Sequence, residues 1–511
     1  MEYFPLYLLL IISYNFDYLS SRLEKVLYKR SLIMVIKIAV IAAYALMIIV
    51  IGLIGLKKTR SFSDYFLGGG KVGPWMTAFS YGTAYFSAVL FIGFAGKIGW
   101  GFGYSGLWIA LFNALVGVMG VWGIMGWKIK KMSTEYNVST ISEFFEKRYD
   151  SKFLKLFGSV AIFVFLIPYS AAVFMGLSYL FTSNFGVQYW HALVFMGLFT
   201  AIYLVLGGYK SMAMIDVIFG MIMTVGVIVL FAGTTAKGGG LAGITAALSK
   251  INPKLTEVVG PPGWWPLFSL VFLTSVAPFA MPQLVQKFYA IKDKKSVKTG
   301  MFASTFFALL IGGVAYFIGS TTRIFLDPSV TPNAFANGKP VFDRLMPELL
   351  TNVIPESLSV LILLLILSAS MSTLAALVLI SSSSFAKDFY AGFINKNISD
   401  KNLTLLMRFM SAFFVLLSVL FAYMNIDVIV EILGISWGAI GSVFLGPFVW
   451  GLFLKKANKF GAVSSSVLGL SVCLVLYFFQ GMSSPQAGTI GMLVSLAATP
   501  VFSLGYSAFK K

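Results

Sequence analysis

Long apolar runs, separated by short basic connectors such as "KKTRSFSD", "KDKKSVK" and "KKANK", dominate the 511-residue sequence. They fall at 32–56, 75–99, 106–126, 156–182, 188–206, 213–236, 266–284, 302–322, 354–383, 404–424, 427–454, 462–479 and 486–508, about thirteen in all. A helix needs ~20 mostly apolar residues to cross a bilayer. Only helices and closed barrels satisfy their backbone in lipid, and unbroken rather than alternating runs select helices. Hydrophobic residues make up 58% of the chain and charged ones 11%, against about 25% charged in soluble domains. The expected fold class is therefore all-α integral membrane, with lipid as its surroundings and no oligomer required.

The formal charge of +19 could suggest nucleic acid. Membrane proteins, however, concentrate Lys and Arg in cytoplasmic connectors. If the first span ends in the cytoplasm, connectors on that side hold about 26 Lys and Arg and the opposite side about 6. That bias makes nucleic acid an unnecessary partner and places the C-terminal "FKK" inside, in a multi-pass protein of the plasma membrane. Residues 1–33 break the pattern, because Arg22, Lys25, Lys29 and Arg30 would lie outside. They are set apart as an N-terminal extension, with Met34 the favoured start. Residues 34–511 read as one transmembrane domain. Cys473 excludes an intrachain disulfide and reads as a small apolar residue, while His191 reads as interfacial. One His and one Cys leave little for an enzyme, and neither a carbonyl filter loop nor a ring of like charge points to a channel.

Two spans are interrupted. The first, "WMTAFSYGTAYFSAVLFIGFAG" (75–96), carries Thr77, Ser80, Thr83, Tyr85 and Ser87 around Gly82; the second, at 266–284, contains Pro278 and Pro282. They open two five-helix units, 75–236 and 266–454. Interrupted spans at matching positions of two halves point to an inverted-repeat transporter whose site lies at the breaks. The long span "LSASMSTLAALVLISSSSFAKDFY" (367–390) adds Ser368 and Ser372 on one helix face, with Thr373 beside them. Taken singly, such hydroxyls bond a carbonyl one turn back or form packing seams. Jointly, hydroxyl oxygens and carbonyls freed at a break are what a hard cation such as sodium takes as ligands. Asp216 follows Gly207 and Gly208 and is expected near a span end, in the first turns of a helix, where the dipole favours it. No carboxylate is expected at mid-membrane, which argues against a proton relay and for a cation held without formal negative charge.

Several stretches together resemble the sodium:solute symporter family over roughly 34–508, in its bacterial proline and pantothenate branch. They are "DYFLGGGKVGPWMTAFSYGTAYFSA", "TISEFFEKRYDS", Gly207-Gly208 with Asp216, "AMPQLVQKFYAIKDKKSVKTG" and "ASMSTLAALVLISSSSFAKDFY". The resemblance implies a leucine-transporter-type five-plus-five fold and sodium-coupled uptake of a small organic solute, an amino acid such as proline or a carboxylate such as pantothenate. The alternatives are a proton-coupled carrier of the same fold and a sensor that does not transport. By position, the resemblance implies sodium contacts from the carbonyls of Thr83, Phe86 and Ala369 and the hydroxyls of Ser372 and Thr373. Asp216 takes a structural or gating role. The expected substrate side is Tyr85, Ser87, Thr274, Pro278 and Gln283. The chain departs from proline carriers at Tyr85, where they have Asp, and at Thr274 and Pro278, where they place aromatic contacts. It departs from the family signature at Phe219 (Gln) and Gly70 (Arg). A reshaped pocket is expected.

Overall fold

The computed structural model describes the backbone of residues 4–58, 61–206, 208–352, 355 and 358–509. Gly207, Lys510 and Lys511, named above, lie outside the described residues. The longer helices, in chain order, are α1 (Phe4–Lys58), α2 (Pro74–Tyr85), α3 (89–102), α4 (107–135), α5 (Ile141–Tyr149), α6 (Lys152–Phe185), α7 (Tyr189–Leu206) and α8 (Tyr209–Lys237). After the short α9 (Gly240–Ile251), the second half comprises α10 (Trp264–Val276), α11 (Pro282–Ala290), α12 (Lys294–Ser320), α13 (Phe342–Asn352), α14 (359–394), α15 (Asp400–Met424) and α16 (Ile429–Phe453). The last pair, α17 (Lys459–Phe478) and α18 (Ser484–Phe509), packs on α16. The chain is an all-α membrane protein. Eleven helices among the described residues are long and apolar enough to cross a bilayer.

Thirteen runs become eleven for local reasons. Residues 89–135 form one helical run in which Gly103, at φ 58°, separates two spans. A Cβ there would meet the Leu255 carbonyl oxygen at 2.2 Å, so both the left-handed backbone and the close approach require glycine. The described apolar part of α7 is shorter than a full span. The segment before Met34 does not form a separate helix; its backbone continues α1 from Phe4.

Both expected breaks are present, and each is stabilised by the other broken helix or by α14. At the first, Phe86 is extended (φ −108°, ψ 114°), which frees carbonyls behind it and N–H groups ahead. The Ala88 N–H donates to Ser370 Oγ of α14 at 3.2 Å, while the Thr83 and Ala84 carbonyls accept from Thr373 at 3.2 and 3.3 Å. At the second, Pro278 has no N–H to offer the Thr274 carbonyl one turn back. The Tyr85 hydroxyl donates to that carbonyl at 2.5 Å. An orphaned polar backbone group in a membrane costs several kcal/mol, so hydroxyl and break constrain one another. Near its C-terminal end, α3 lies backbone against backbone with α12: a Cβ on Gly99 would meet the Gly319 carbonyl carbon at 2.0 Å.

Candidate functional site: an oxygen cluster and an aromatic cavity at the helix breaks

Where α2 ends, α14 crosses it. Ser372 Oγ donates to Thr83 Oγ1 at 2.7 Å, and Thr83 Oγ1 donates to the Phe79 carbonyl at 2.7 Å. The Thr373 hydroxyl faces three carbonyls, Thr83, Ala84 and Ala369, at 3.2, 3.3 and 3.1 Å. One hydroxyl proton cannot satisfy three acceptors, so the cluster carries more lone pairs than donors. Thr83, Ala369, Ser372 and Thr373 are all at most 1% exposed. Such a dry, acceptor-rich set suits a small hard cation. The geometry thus unites four of the five residues expected at the sodium site. The fifth, Phe86, terminates the half-helix; no hydrogen bond among the described residues ties its carbonyl to the others.

The carboxylate expectation is overturned. Asp216 is the eighth residue of α8, 1% exposed, not a dipole partner in the first turn. Ser80 donates to its Oδ2 at 2.5 Å, and Lys287 Nζ, itself 0% exposed, donates to Ser80 Oγ at 2.8 Å. The ammonium also lies 4.9 Å from the Tyr209 ring centroid. The other carboxyl oxygen of Asp216, Oδ1, is buried without a hydrogen-bond partner among the described residues. A carboxyl group therefore stands in the buried core one turn from Thr83, joined through Ser80 to a buried lysine. The sequence places Lys287 among cytoplasmic cations because "KDKK" follows five residues on. Only packing separates it from them. Among the described residues, no group of three or more His, Cys, Asp or Glu could hold a metal.

Beside the break lies a small cavity of ≈ 40 Å³, lined by Tyr85, Ser87, Asn113, Tyr169, Thr274 and Trp437 together with Phe86, Phe94, Tyr316 and aliphatic residues. Three of the expected substrate residues, Tyr85, Ser87 and Thr274, face it. Pro278 and Gln283 do not. Pro278 acts through the missing N–H described above. Gln283 is 0% exposed, with both side-chain amide atoms unpartnered among the described residues. Asn113 was not expected. A lone amide in the apolar run "WIALFNALVGV" was the available signal, since polar groups inside a span tend to be functional.

The sequence profile of the sodium:solute symporter family matches residues 65–469. The chain belongs to that family. The symporter is 29% identical over 458 residues to the sodium/pantothenate symporter of Haemophilus influenzae, covering 86% of this chain and 91% of that one. It is 31% identical over 443 residues to the sodium/proline symporter of the same organism, covering 83% and 85%. Among solved structures, a Na⁺-coupled sialic acid symporter in its substrate-bound outward-open state superposes with a TM-score of 0.78 at 19% identity, covering 92% of this chain and 97% of that one. A phenylalanine complex of MhsT gives 0.50 at 14% identity, over 85% and 98%. These likenesses bear on the fold, a five-plus-five core of the leucine-transporter type.

Polar contacts join helices at both ends of this core. At one end, Lys97 of α3 pairs with Glu431 of α16 at 2.7 Å, and Asp343 of α13 accepts from the Ile429 N–H at 3.0 Å, at the start of α16. At the other, Glu143 of α5 pairs with Lys387 of α14 at 3.0 Å, Lys387 also donates to Ser139, and Thr140 donates to Asp388 at 2.7 Å. Burial by itself would raise the Glu143 carboxyl, but Lys387 and the Ser139 N–H hold it below the usual value. Arg148 donates to the Gly451, Leu454 and Ala457 carbonyls at 3.0, 3.0 and 3.1 Å, tying α5 to the C-terminal end of α16.

Proposed function

We propose that this symporter takes up a small organic solute with sodium by alternating access across the plasma membrane, its C-terminus in the cytoplasm. Sodium binds the carbonyls of Thr83, Phe86 and Ala369 and the hydroxyls of Ser372 and Thr373. The solute sits one helix turn outward, against Tyr85, Ser87 and Thr274. The observation that carries the reading is the Thr373 hydroxyl shared among three carbonyls at the break. A cation placed there satisfies lone pairs that one proton leaves unmatched. Occupation also fixes α14 against α2, and this joins the first span of one half to the third span of the other. The membrane potential adds about 2.3 kcal/mol per charge per 100 mV, so one sodium drives appreciable accumulation. Relatives that carry pantothenate and proline support an amino acid or a carboxylate as the solute. The core repeats 75–236 and 266–454 form one transporter domain within 34–511.

The test is uptake into proteoliposomes with and without an inward sodium gradient. Ser372→Ala with Thr373→Ala is expected to abolish sodium-dependent uptake at unchanged expression. Unaltered sodium affinity in that double variant would refute the site. Accumulation driven equally well without sodium would refute the coupling.

A further inference from the structure

The end of the core at which α5 lies encloses a separate cavity of ≈ 10 Å³, about the room of one water-sized sphere. Its wall is rich in oxygen atoms whose protons are already committed. Thr140, the N-cap of α5, gives its proton to Asp388 Oδ1 at 2.7 Å. Ser383 and Ser384 of α14 give theirs to the Ile380 and Ser159 carbonyls at 2.9 and 2.7 Å. Gln286 Nε2 donates to the Phe66 carbonyl at 2.9 Å. A carbonyl only accepts, so this bond fixes which amide atom is nitrogen. Phe66 is not part of the cavity wall, and the amide oxygen diverges from the nitrogen that faces it. Three polar atoms are then left without a partner among the described residues: Asp388 Oδ2, Gln286 Oε1 and the Tyr289 hydroxyl. Their residues are 1, 1 and 3% exposed, and all three line this one cavity. Gln286 and Tyr289, three apart, share a face of α11, while Ser384 and Asp388, four apart, share a face of α14. The cavity lies between those faces.

Charge decides the occupant. Asp388 forms no ion pair among the described residues. Lys387, its neighbour in the chain, is paired with Glu143 at 3.0 Å, and Lys155 with Glu146 at 2.7 Å. Lys130 of α4 donates to the Tyr289 and Gly70 carbonyls at 2.9 and 3.3 Å. One water could bond the three open atoms, but it would leave a buried carboxylate charge unmatched, and buried charges are paired or bind a metal. A single carboxylate among neutral oxygens lacks the charge that a divalent ion such as calcium takes. We infer that this cavity is a second cation site, taking one small monovalent ion, sodium or potassium, on Asp388 Oδ2 and Gln286 Oε1 with hydroxyl oxygens around them. It is distinct from the oxygen cluster at Thr83: fifteen positions of α14 separate Thr373 from Asp388, ~22 Å of helix. The bound ion joins α5, α11 and α14 and so holds this end of the core together. It need not be the ion that is transported.

The experiment uses the full chain in detergent, with the thermal midpoint as readout, as choline is replaced by sodium or by potassium at constant ionic strength. Ser372→Ala with Thr373→Ala removes the hydroxyls of the Thr83 cluster, so the response that remains reports the second site. At ten times its dissociation constant an ion favours the folded state about 11-fold, equivalent to about 1.4 kcal/mol and to a rise of ~2 °C in midpoint. The ion that produces this rise at the lower concentration is the one the site prefers. Adding Asp388→Asn is expected to abolish the rise; it keeps the acceptor for Thr140 and offers an N–H to Gln286 Oε1, so it folds. Gln286→Met is expected to raise the half-saturating concentration by about tenfold, one neutral ligand's worth. In the wild-type background, Asp388→Asn is expected to remove one component of the cation response and leave the other. Equal midpoints in choline, sodium and potassium with Asp388 intact overturn the inference, and the cavity then holds water. So does a response that survives Asp388→Asn undiminished in either background, or one that Gln286→Met leaves at full affinity.

Discussion

Replacing Lys287 by Met tests whether the buried charges form one unit. Lys287 and Asp216 are 0% and 1% exposed and are joined through a single hydroxyl, Ser80, by contacts of 2.8 and 2.5 Å. Across one hydroxyl the charges stand about 4–5 Å apart, which at an effective dielectric of ~20 corresponds to ~3–4 kcal/mol of attraction. Removing the ammonium leaves an uncompensated carboxylate with only hydroxyl partners, and breaking a buried pair in this way costs about 3–5 kcal/mol. In a chain of this length 1 kcal/mol moves a thermal midpoint by ~2 °C or less, so a loss of up to ~10 °C is expected. Asp216→Asn is expected to cost a similar amount through the stranded lysine. The double variant, Lys287→Met with Asp216→Asn, removes both charges and their desolvation together, and it is expected to be more stable than the worse single variant. The assay is the thermal midpoint of the purified protein in one detergent at one sodium concentration. A double variant destabilised by the sum of the two singles would show the groups to be independent, and the reasoning would fail.

Two further outcomes follow from the geometry. Tyr85→Phe leaves the Thr274 carbonyl, already deprived of a partner by Pro278, without a donor, and is expected to cost about 1–3 kcal/mol in stability; a midpoint unchanged from wild type would show that the carbonyl finds another donor. Burial pushes the Asp343 carboxyl up to about 7, with Asp427 adding to the rise and the Ile429 N–H and Lys97 opposing it, against about 3.9 in an unfolded chain. Between those values the folded protein holds a proton that the unfolded one has lost, so this group's contribution to stability falls as pH rises and is fully lost above about 7. The difference in midpoint between wild type and Asp343→Asn, which keeps the acceptor for Ile429, is expected to shift against the wild type from pH 5 to 8; a constant difference would refute the assignment.

Hydropathy in the chain was enough to read the all-helical membrane class, since lipid forces each crossing to satisfy its own backbone, but not the number of spans, which fell from about thirteen to eleven. Gly82, Pro278 and Pro282 were enough to read the breaks, because glycine and proline act on the backbone locally. The pairing of the 75–99 span with the 354–383 span was legible only as two clusters of hydroxyls. That Ser372 reaches Thr83 and that Thr373 is shared among three carbonyls depends on the helix crossing. Asn113 was one polar letter in an apolar run, and nothing near it in the chain says that it meets Thr274 and Ser275 beside a cavity.

Amino-acid order by itself determined which stretches are apolar enough for a bilayer and where two of the helices must break, because those are properties of neighbouring residues and the surrounding solvent. The fate of Lys287 and Asp216 belonged to the tertiary structure alone. Their spacing of 71 positions carries no distance, and a charge near the end of an apolar run looks solvated until another helix closes over it. Electrostatic energy depends on what replaces water around a charge, and that is decided by packing.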